Sequence, residues 1–249
     1  MGRRAEIPAP VFNQLQEDGR LKMSGVLGIW PANSLPGEDD VVLYTDDSRE
    51  TELARLHFLR QQNEKPTEQP YFCLADFVAP APVADYLGAF AVTAGLGIDE
   101  ILAEHVDDDY SIIMIKALAD RLAEAFAEYL HAEVRRKYWG YAAGENLDTE
   151  GLIRETYQGI RPAPGYPACP EHSEKTTLFA LLDATATTGI SLTEHFAMLP
   201  AASVSGWYFS HPDARYFGVG RIGSDQLEDY ARRKGVSTPD AEKLLRPNL

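Results

Sequence analysis

A long helical pattern in the middle of the chain, from about Asp108 to Tyr138, constrains the fold most. Three aspartates crowd its start at 107–109 and three basic residues crowd its end at 135–137, and both clusters complement the helix dipole. At ~1.5 Å per residue, this helix is long enough to cross a whole domain. Its wide apolar face is formed by Ile112, Ile115, Leu118, Leu122, Ala125 and Phe126.

Strand patterns lie on both sides of this helix. The expected strands are Gly25–Trp30 (ended by Pro31), Val41–Thr45, Tyr86–Thr93, Val204–Ser210 and Tyr216–Ile222. The first two are expected to form a hairpin. Further helices are expected at 48–64, 148–158, 176–188, 224–234 and from about Pro239. Because no regular βαβ alternation occurs, the pattern predicts an α+β fold with an antiparallel sheet. We expect an entry helix or linker over 1–24 and a single domain over 25–249.

Composition excludes several classes of protein. The 249 residues carry 23 Lys and Arg against 38 Asp and Glu, a net charge of −15, which argues against nucleic acid and anionic lipid as partners. No apolar run approaches the roughly 20 residues that cross a bilayer, and no signal peptide follows the first Met. With only Cys73 and Cys169, a disulfide scaffold is not expected. A soluble, cytoplasmic protein without membrane contact is the expectation.

Two short motifs match cofactor or metal sites in spelling only. Gly218–Gly223 has the G-x-G-x-x-G spacing of dinucleotide-binding loops, but only 26 residues follow it, too few for the required βαβ unit. Cys169 and His172 form half of a possible zinc site, and the other ligands are missing nearby. We therefore expect neither a dinucleotide nor a metal.

An acidic row lies on one side of the long helix. Asp120, Glu124 and Glu128 follow one another at intervals of four residues, so they project in the same direction. A solvated acidic face is the ordinary interpretation of such a row.

The most unusual segment is the proline-rich strip, residues 159–172. Its prolines exclude helix and hold an extended, preordered backbone. Arg161 suits a carboxylate, Gly165 permits close approach of a ligand to the backbone, and the ring of Tyr166 attracts cations. A zwitterionic ligand with a heteroaromatic ring would fit these groups. A rigid structural loop whose arginine pairs with a nearby acid explains the same residues equally well.

Several collinear segments of this chain resemble one known family. Arg161–His172 is similar to the signature of the C-terminal activation domain of cobalamin-dependent methionine synthase, and the likeness extends from about Gly25 to the last residue. The other similar segments are Leu59–Lys65, Leu74–Pro80, Lys116–Phe126, Tyr138–Tyr141 and Ser203–Asp213.

The resemblance implies a C-shaped α+β domain around a bent antiparallel sheet, which binds S-adenosylmethionine (AdoMet). In the family the arginine corresponding to Arg161 holds the AdoMet carboxylate. The site positions carried over with it are the backbones of Ala163 and Gly165, the rings of Tyr166, Tyr216 and Phe217, and the carboxylate of Glu124. Asp120 corresponds to a position that faces the cobalamin module, which implies an interdomain contact.

The resemblance also implies a role in reductive methylation, which returns cob(II)alamin to methylcobalamin during methionine biosynthesis. Flavodoxin or a related flavoprotein supplies an electron, and the cobalamin is carried by a partner domain or chain. The basic clusters 135–137 and 232–234 are candidate contacts for an acidic flavodoxin, or ordinary solvated helix ends. The domain chiefly positions AdoMet, so we expect no catalytic residue from it.

Features of the whole enzyme are missing from this sequence. The given sequence includes no folate, homocysteine or cobalamin module, so the resemblance implies a component of methionine synthase, either a domain or a separate subunit. The family usually carries an upstream Trp-Thr-Pro-Phe-Phe type segment whose acid contacts AdoMet, and no tryptophan here lies in one. The alternative hypothesis is a non-catalytic binding module that retains the fold and docks on a cobalamin protein.

Overall fold

A five-stranded antiparallel sheet organises the described residues, 19–66 and 68–249 of a computed structural model. Its strands occur in the spatial order β3-β2-β1-β4-β7, and a separate two-stranded pair is formed by β5 and β6. The strands are β1 (Lys22–Ser34), β2 (Asp40–Tyr44), β3 (Glu52–His57), β4 (Asp85–Leu96), β5 (Ser191–Leu192), β6 (Met198–Leu199) and β7 (Ser203–Tyr208).

Helices occupy the segments between and after these strands. They are α1 (Ile98–Ala103), α2 (Asp109–Glu133), α3 (Thr149–Ile153), α4 (Glu174–Leu182), α5 (Ala184–Thr188), α6 (Ser224–Lys234) and α7 (Thr238–Leu244). Two short 3-10 turns add Leu74–Phe77 and Arg246–Asn248. The predicted α+β class, with an antiparallel sheet, flanking helices and one long helix, is confirmed.

Strand β4 is buried on both of its faces because the sheet is covered on both sides. Leu87, Ala89 and Ala91 point into the main core with α4 and α5, whereas Phe90 and Val92 point to the face covered by α2. This alternation follows from the two-residue period of a strand. It explains why β4 reads as a nearly continuous apolar run.

The long helix α2 forms as its local sequence predicts. The Asp108 side chain caps it by accepting a hydrogen bond from the Ser111 N–H at 3.1 Å. After Glu133 the helix continues as one π-helical turn, Val134–Tyr138, so the predicted end at Tyr138 is also confirmed. Buried alanines, including Ala123 and Ala127, let its axis approach the sheet closely.

The helix expected at 48–64 is wrong. Glu52–His57 forms the edge strand β3, which pairs antiparallel with β2. Leu56 is fully buried on this strand, whereas Leu53 is 44% exposed. The three-residue spacing of leucines fits a helix locally, but pairing with β2 and burial of Leu56 favour the strand.

Two strand boundaries also differ from expectation. Tyr216–Ile222 is irregular rather than a strand; Gly220 adopts a positive φ of 72° there, which a strand does not accommodate. Pro31 does not end β1, because the strand continues to Ser34. The expected hairpin with β2 involves only the part of β1 beyond this proline, Ala32–Ser34, while the preceding residues pair with β4.

The expected entry helix or linker over 1–24 falls mostly outside the described residues. Within the described part, β1 already begins at Lys22, so the predicted boundary at 24/25 cuts through a strand. In the residues that the structure describes, no helix is both long and apolar enough to span a bilayer.

Candidate functional site

The proline-rich strip lies against the end of β7, where Ile160 forms an isolated antiparallel bridge with Phe209. The N–H of Ile160 donates to the Phe209 carbonyl, and the N–H of Phe209 donates to the Ile160 carbonyl, both at 3.0 Å. The Trp207 N–H donates to the Pro162 carbonyl at 2.9 Å. These bonds place Arg161 between two anchored neighbours. A Cβ on Gly206 would lie 2.8 Å from the Pro162 oxygen, so the strip can come this close only to a glycine.

Arg161 is surrounded by polar partners from three elements. Its backbone N–H donates to the Tyr216 hydroxyl at 3.0 Å. One terminal nitrogen of its guanidinium, NH1, donates to the Tyr157 hydroxyl at 2.6 Å and lies 3.3 Å from Nδ1 of His131. The other, NH2, lies 2.7 Å from a carboxylate oxygen of Glu128. Burial acts to lower the pKa of Arg161, but Tyr157 and Glu128 outweigh it and raise that pKa.

A cavity of about 440 Å³ opens beside Arg161, within the size range of small-molecule sites. It lies between the strip, the sheet, the long helix and the irregular segment after β7. Its lining comprises Phe90, Glu124, Arg161, Pro162, Ala163, Tyr166, Pro167, Ala168, Val204, Tyr216 and Phe217. Six of the predicted site residues are therefore brought together: Arg161, Ala163, Tyr166, Tyr216, Phe217 and Glu124.

Gly165 is a predicted site residue that does not line this cavity. Its N–H donates to the Cys169 carbonyl at 2.7 Å, and it adopts a φ of +95°, a region that favours glycine. A Cβ here would lie 2.2 Å from Cε1 of His172. The turn of the strip therefore requires this glycine. The expectation that its N–H is open to a ligand is wrong, because the N–H is already bonded to Cys169.

The acidic row on the long helix does not behave as one solvated face. Glu128 pairs with Arg161. It is therefore the nearby acid expected if the strip is a rigid structural loop. Glu124 and Asp120 are both exposed, and Asp120 lines a neighbouring hollow of about 480 Å³ together with Glu124 and Tyr166. The cavity and this hollow share Glu124, Tyr166 and Val204 in their linings.

Sequence reasoning missed several residues of the site. Phe90 and Val204 line the cavity from β4 and β7, and their apolar character gave no signal beyond strand formation. His131 and Tyr157, which contact Arg161, had a detectable signal. His131 follows Glu124 and Glu128 at helical spacing, and Tyr157 precedes Arg161 by four residues.

The two basic clusters are paired within the chain. Arg135 is fully buried and makes two hydrogen bonds of 2.8 Å to Glu145. Lys234 lies against Glu171 and Glu174. Lys137 and Arg232 of the same clusters are 69% and 67% exposed, and each pairs with an acid three or four residues before it. The exposed members therefore fit either interpretation of the clusters.

The half-site for zinc is not completed. Among the described residues, no group of three or more His, Cys, Asp and Glu could hold a metal ion. Cys169 is buried, where burial raises its pKa well above the usual value. His172 instead lies 3.0 Å from the Lys175 ammonium.

Comparison with known proteins connects this geometry to a family. The family model described as "Vitamin B12 dependent methionine synthase, activation domain" matches residues 9–235. A solved structure entitled "Crystal Structure of the MetH Reactivation Domain bound to AdoHcy" is 56% identical over 96% of this chain and 74% of that chain, with a TM-score of 0.93. The chain therefore belongs to the activation-domain family of vitamin B12-dependent methionine synthases.

Proposed function

We propose that this chain binds AdoMet in the cavity beside Arg161 and presents it to a cobalamin carried by a partner module or chain. The observation that carries the proposal is the meeting of opposite charges in one largely apolar cavity, with Arg161 and Glu124 both in its lining. A zwitterionic amino acid joined to a nucleoside has complementary groups. The similar solved domain is described as bound to AdoHcy, the demethylated form of AdoMet.

The residues present fit the ligand's parts. Arg161 would hold the carboxylate through charge-assisted hydrogen bonds, and the Glu124 carboxylate would attract the positive centre. Tyr166, Tyr216 and Phe217 supply ring faces for the heteroaromatic base. Among the described residues, the N–H of Ala163 has no hydrogen-bond partner, so it is available to an acceptor on the ligand.

The reaction class that follows is reductive methylation of cob(II)alamin in methionine biosynthesis. AdoMet supplies the methyl group, and flavodoxin or a related flavoprotein supplies the electron. This chain's residues contribute binding and orientation, which lower the barrier by proximity. Asp120, beside Glu124 on the exposed side of the long helix, is the proposed contact with the cobalamin module. The proposed location is the cytoplasm, where methionine biosynthesis takes place.

The test is a calorimetric titration of AdoMet and AdoHcy into the purified chain and its Arg161→Ala variant. Loss of a charged hydrogen bond of about 1.5–3 kcal/mol predicts roughly ten- to hundredfold weaker binding. Arg154→Ala is the matched control, because this arginine is 68% exposed and pairs with Glu150. It should bind as the wild type does.

Two outcomes would contradict the proposal. Absence of binding to the wild type at millimolar ligand would favour a module that only docks on a cobalamin protein. Equal affinities for the wild type and Arg161→Ala would place the ligand elsewhere.

A further inference from the structure

His131 is a fully buried polar residue in the last turns of the long helix. Its ring is stacked on Tyr208 with centroids 5.0 Å apart, and it meets the Tyr157 ring edge-on at 5.1 Å. These two contacts hold the plane of the imidazole. Within that plane, the directions of its two nitrogens are defined by the groups that they face, Arg161 and Tyr141.

The partners of His131 define its tautomer. A guanidinium has only donors, so the contact of 3.3 Å between Arg161 NH1 and Nδ1 of His131 requires Nδ1 to accept. The proton then resides on Nε2, which donates to the Tyr141 hydroxyl at 3.4 Å. Burial, followed by the positive charges of Arg135 and Arg161, lowers the pKa of His131 well below its usual value. The acceptor at Nδ1 is thus present at neutral pH.

This contact determines which edge of the Arg161 guanidinium remains open. Both hydrogens of NH1 are used, one by His131 and one by the Tyr157 hydroxyl. NH2 has Glu128 as its ion-pair partner. Among the described residues, the Nε–H of Arg161 has no hydrogen-bond partner. The donors of Arg161 left for a carboxylate are therefore Nε–H and the one hydrogen of NH2 that Glu128 does not take.

We infer that His131 is a positioning residue, which acts through Arg161 by holding NH1 and directing the Nε–NH2 edge toward the carboxylate of the ligand. The inference rests on the proposed function, since it concerns how the same arginine recognises AdoMet or AdoHcy. His131 itself does not touch the ligand. Its effect is therefore confined to ligands that carry the amino-acid carboxylate.

The experiment compares His131→Asn with His131→Gln, two neutral amides of similar size. An asparagine oxygen can occupy the position of Nδ1, whereas a glutamine amide reaches the position of Nε2. We expect AdoHcy affinity within about threefold of wild type for His131→Asn and about tenfold weaker for His131→Gln, the effect of one lost hydrogen bond. 5′-Methylthioadenosine, which lacks the carboxylate, should bind all three proteins equally.

Further variants separate positioning from a structural role. His131→Phe retains both ring contacts, and its AdoHcy affinity should resemble that of His131→Gln. If the Phe variant does not fold, the comparison of His131→Asn with His131→Gln tests the positioning role on its own. In an Arg161→Ala background, His131→Gln should have no additional effect on AdoHcy affinity. Equal weakening of AdoHcy and methylthioadenosine by His131→Gln, or no weakening of either, would overturn the inference. The proposed function would still stand if Arg161→Ala weakens AdoHcy binding at least about tenfold. Failure of the wild type to bind AdoHcy would overturn both.

Discussion

At the scale of single residues, the turn of the proline-rich strip depends on Gly165. This glycine combines a φ of +95° with the ring of His172 on the side where a Cβ would be. An L-residue in that region is strained, and the exposed ring of His172 would also have to move aside for the added Cβ. The residue therefore serves the shape of the strip, and through it the placement of Arg161 and Tyr166.

Gly165→Ala should lower the free energy of unfolding by about 1–3 kcal/mol, the typical cost of a strained backbone conformation. Urea denaturation followed by tryptophan fluorescence measures the change. Gly144→Ala is the control, because no atom lies within 4 Å of its Cβ position and its φ is not positive. Similar stability of the two variants would show that the strip accommodates a side chain at 165.

At the scale of elements, the strip and β7 act as a unit. Gly206 of β7 lies opposite the Pro162 carbonyl, and a Cβ there would also come within 3.1 Å of the Phe90 ring. Both Pro162 and Phe90 line the cavity. A small change in β7 is therefore transmitted to Arg161 and the cavity wall together.

Gly206→Ala should weaken AdoHcy binding by more than about threefold, because a misplaced binding group loses part of its hydrogen-bond energy. Isothermal calorimetry gives the affinity, and a thermal melt checks that the variant is folded. Ser205→Ala is the control at the neighbouring position. It removes a buried hydroxyl that has no partner among the described residues, so this variant should bind AdoHcy as the wild type does. Normal binding by Gly206→Ala would mean that the strip is held independently of β7.

At the scale of the whole molecule, α6 joins the C-terminal region to the sheet and to the end of the strip. Arg233 pairs with the buried Asp40 at the start of β2. Lys234 pairs with Glu171 at 2.7 Å and also with Glu174. The carboxylates of Glu171 and Glu174 are only 3% and 2% exposed, so the lysine is the charge that keeps them compatible with burial.

Lys234→Met should destabilise the chain by about 3–5 kcal/mol at neutral pH, because it leaves two buried carboxylates without their cation. Arg232→Met is the control, since its pair with Asp229 is exposed and should contribute less than about 1 kcal/mol. Urea denaturation at several pH values measures both variants. A loss below that of Arg232→Met would contradict the role of Lys234.

The pH dependence follows from the shifts of the two acids. Burial raises the pKa of Glu171, but Lys234 outweighs it and the net pKa is lowered. Its contribution is therefore present above the unfolded pKa and is lost as the pH falls through the folded value. Burial raises the pKa of Glu174, so ionised Glu174 opposes folding and its protonation relieves that cost. The deficit of Lys234→Met should shrink as the pH falls and both carboxylates take up protons.

Features that depend on neighbours along the chain could be predicted from the amino-acid sequence. The helix at 108–138 carries its own cap, dipole-matching charges and apolar face, so no other element is needed to predict it. The strip at 159–172 is constrained by its own prolines, and its residue types already suggested a ligand with a carboxylate.

Features that depend on contacts between residues distant in the chain could not be predicted in this way. Glu52–His57 is a strand because β2 lies beside it, although its leucines fit a helix. The alternatives for Arg161, a ligand group or an ion-paired structural residue, were equal in sequence, and the fold shows that it pairs with Glu128 and also lines the cavity. Hydrogen-bond partners such as His131 come from another element, and no local pattern of residues specifies which elements meet.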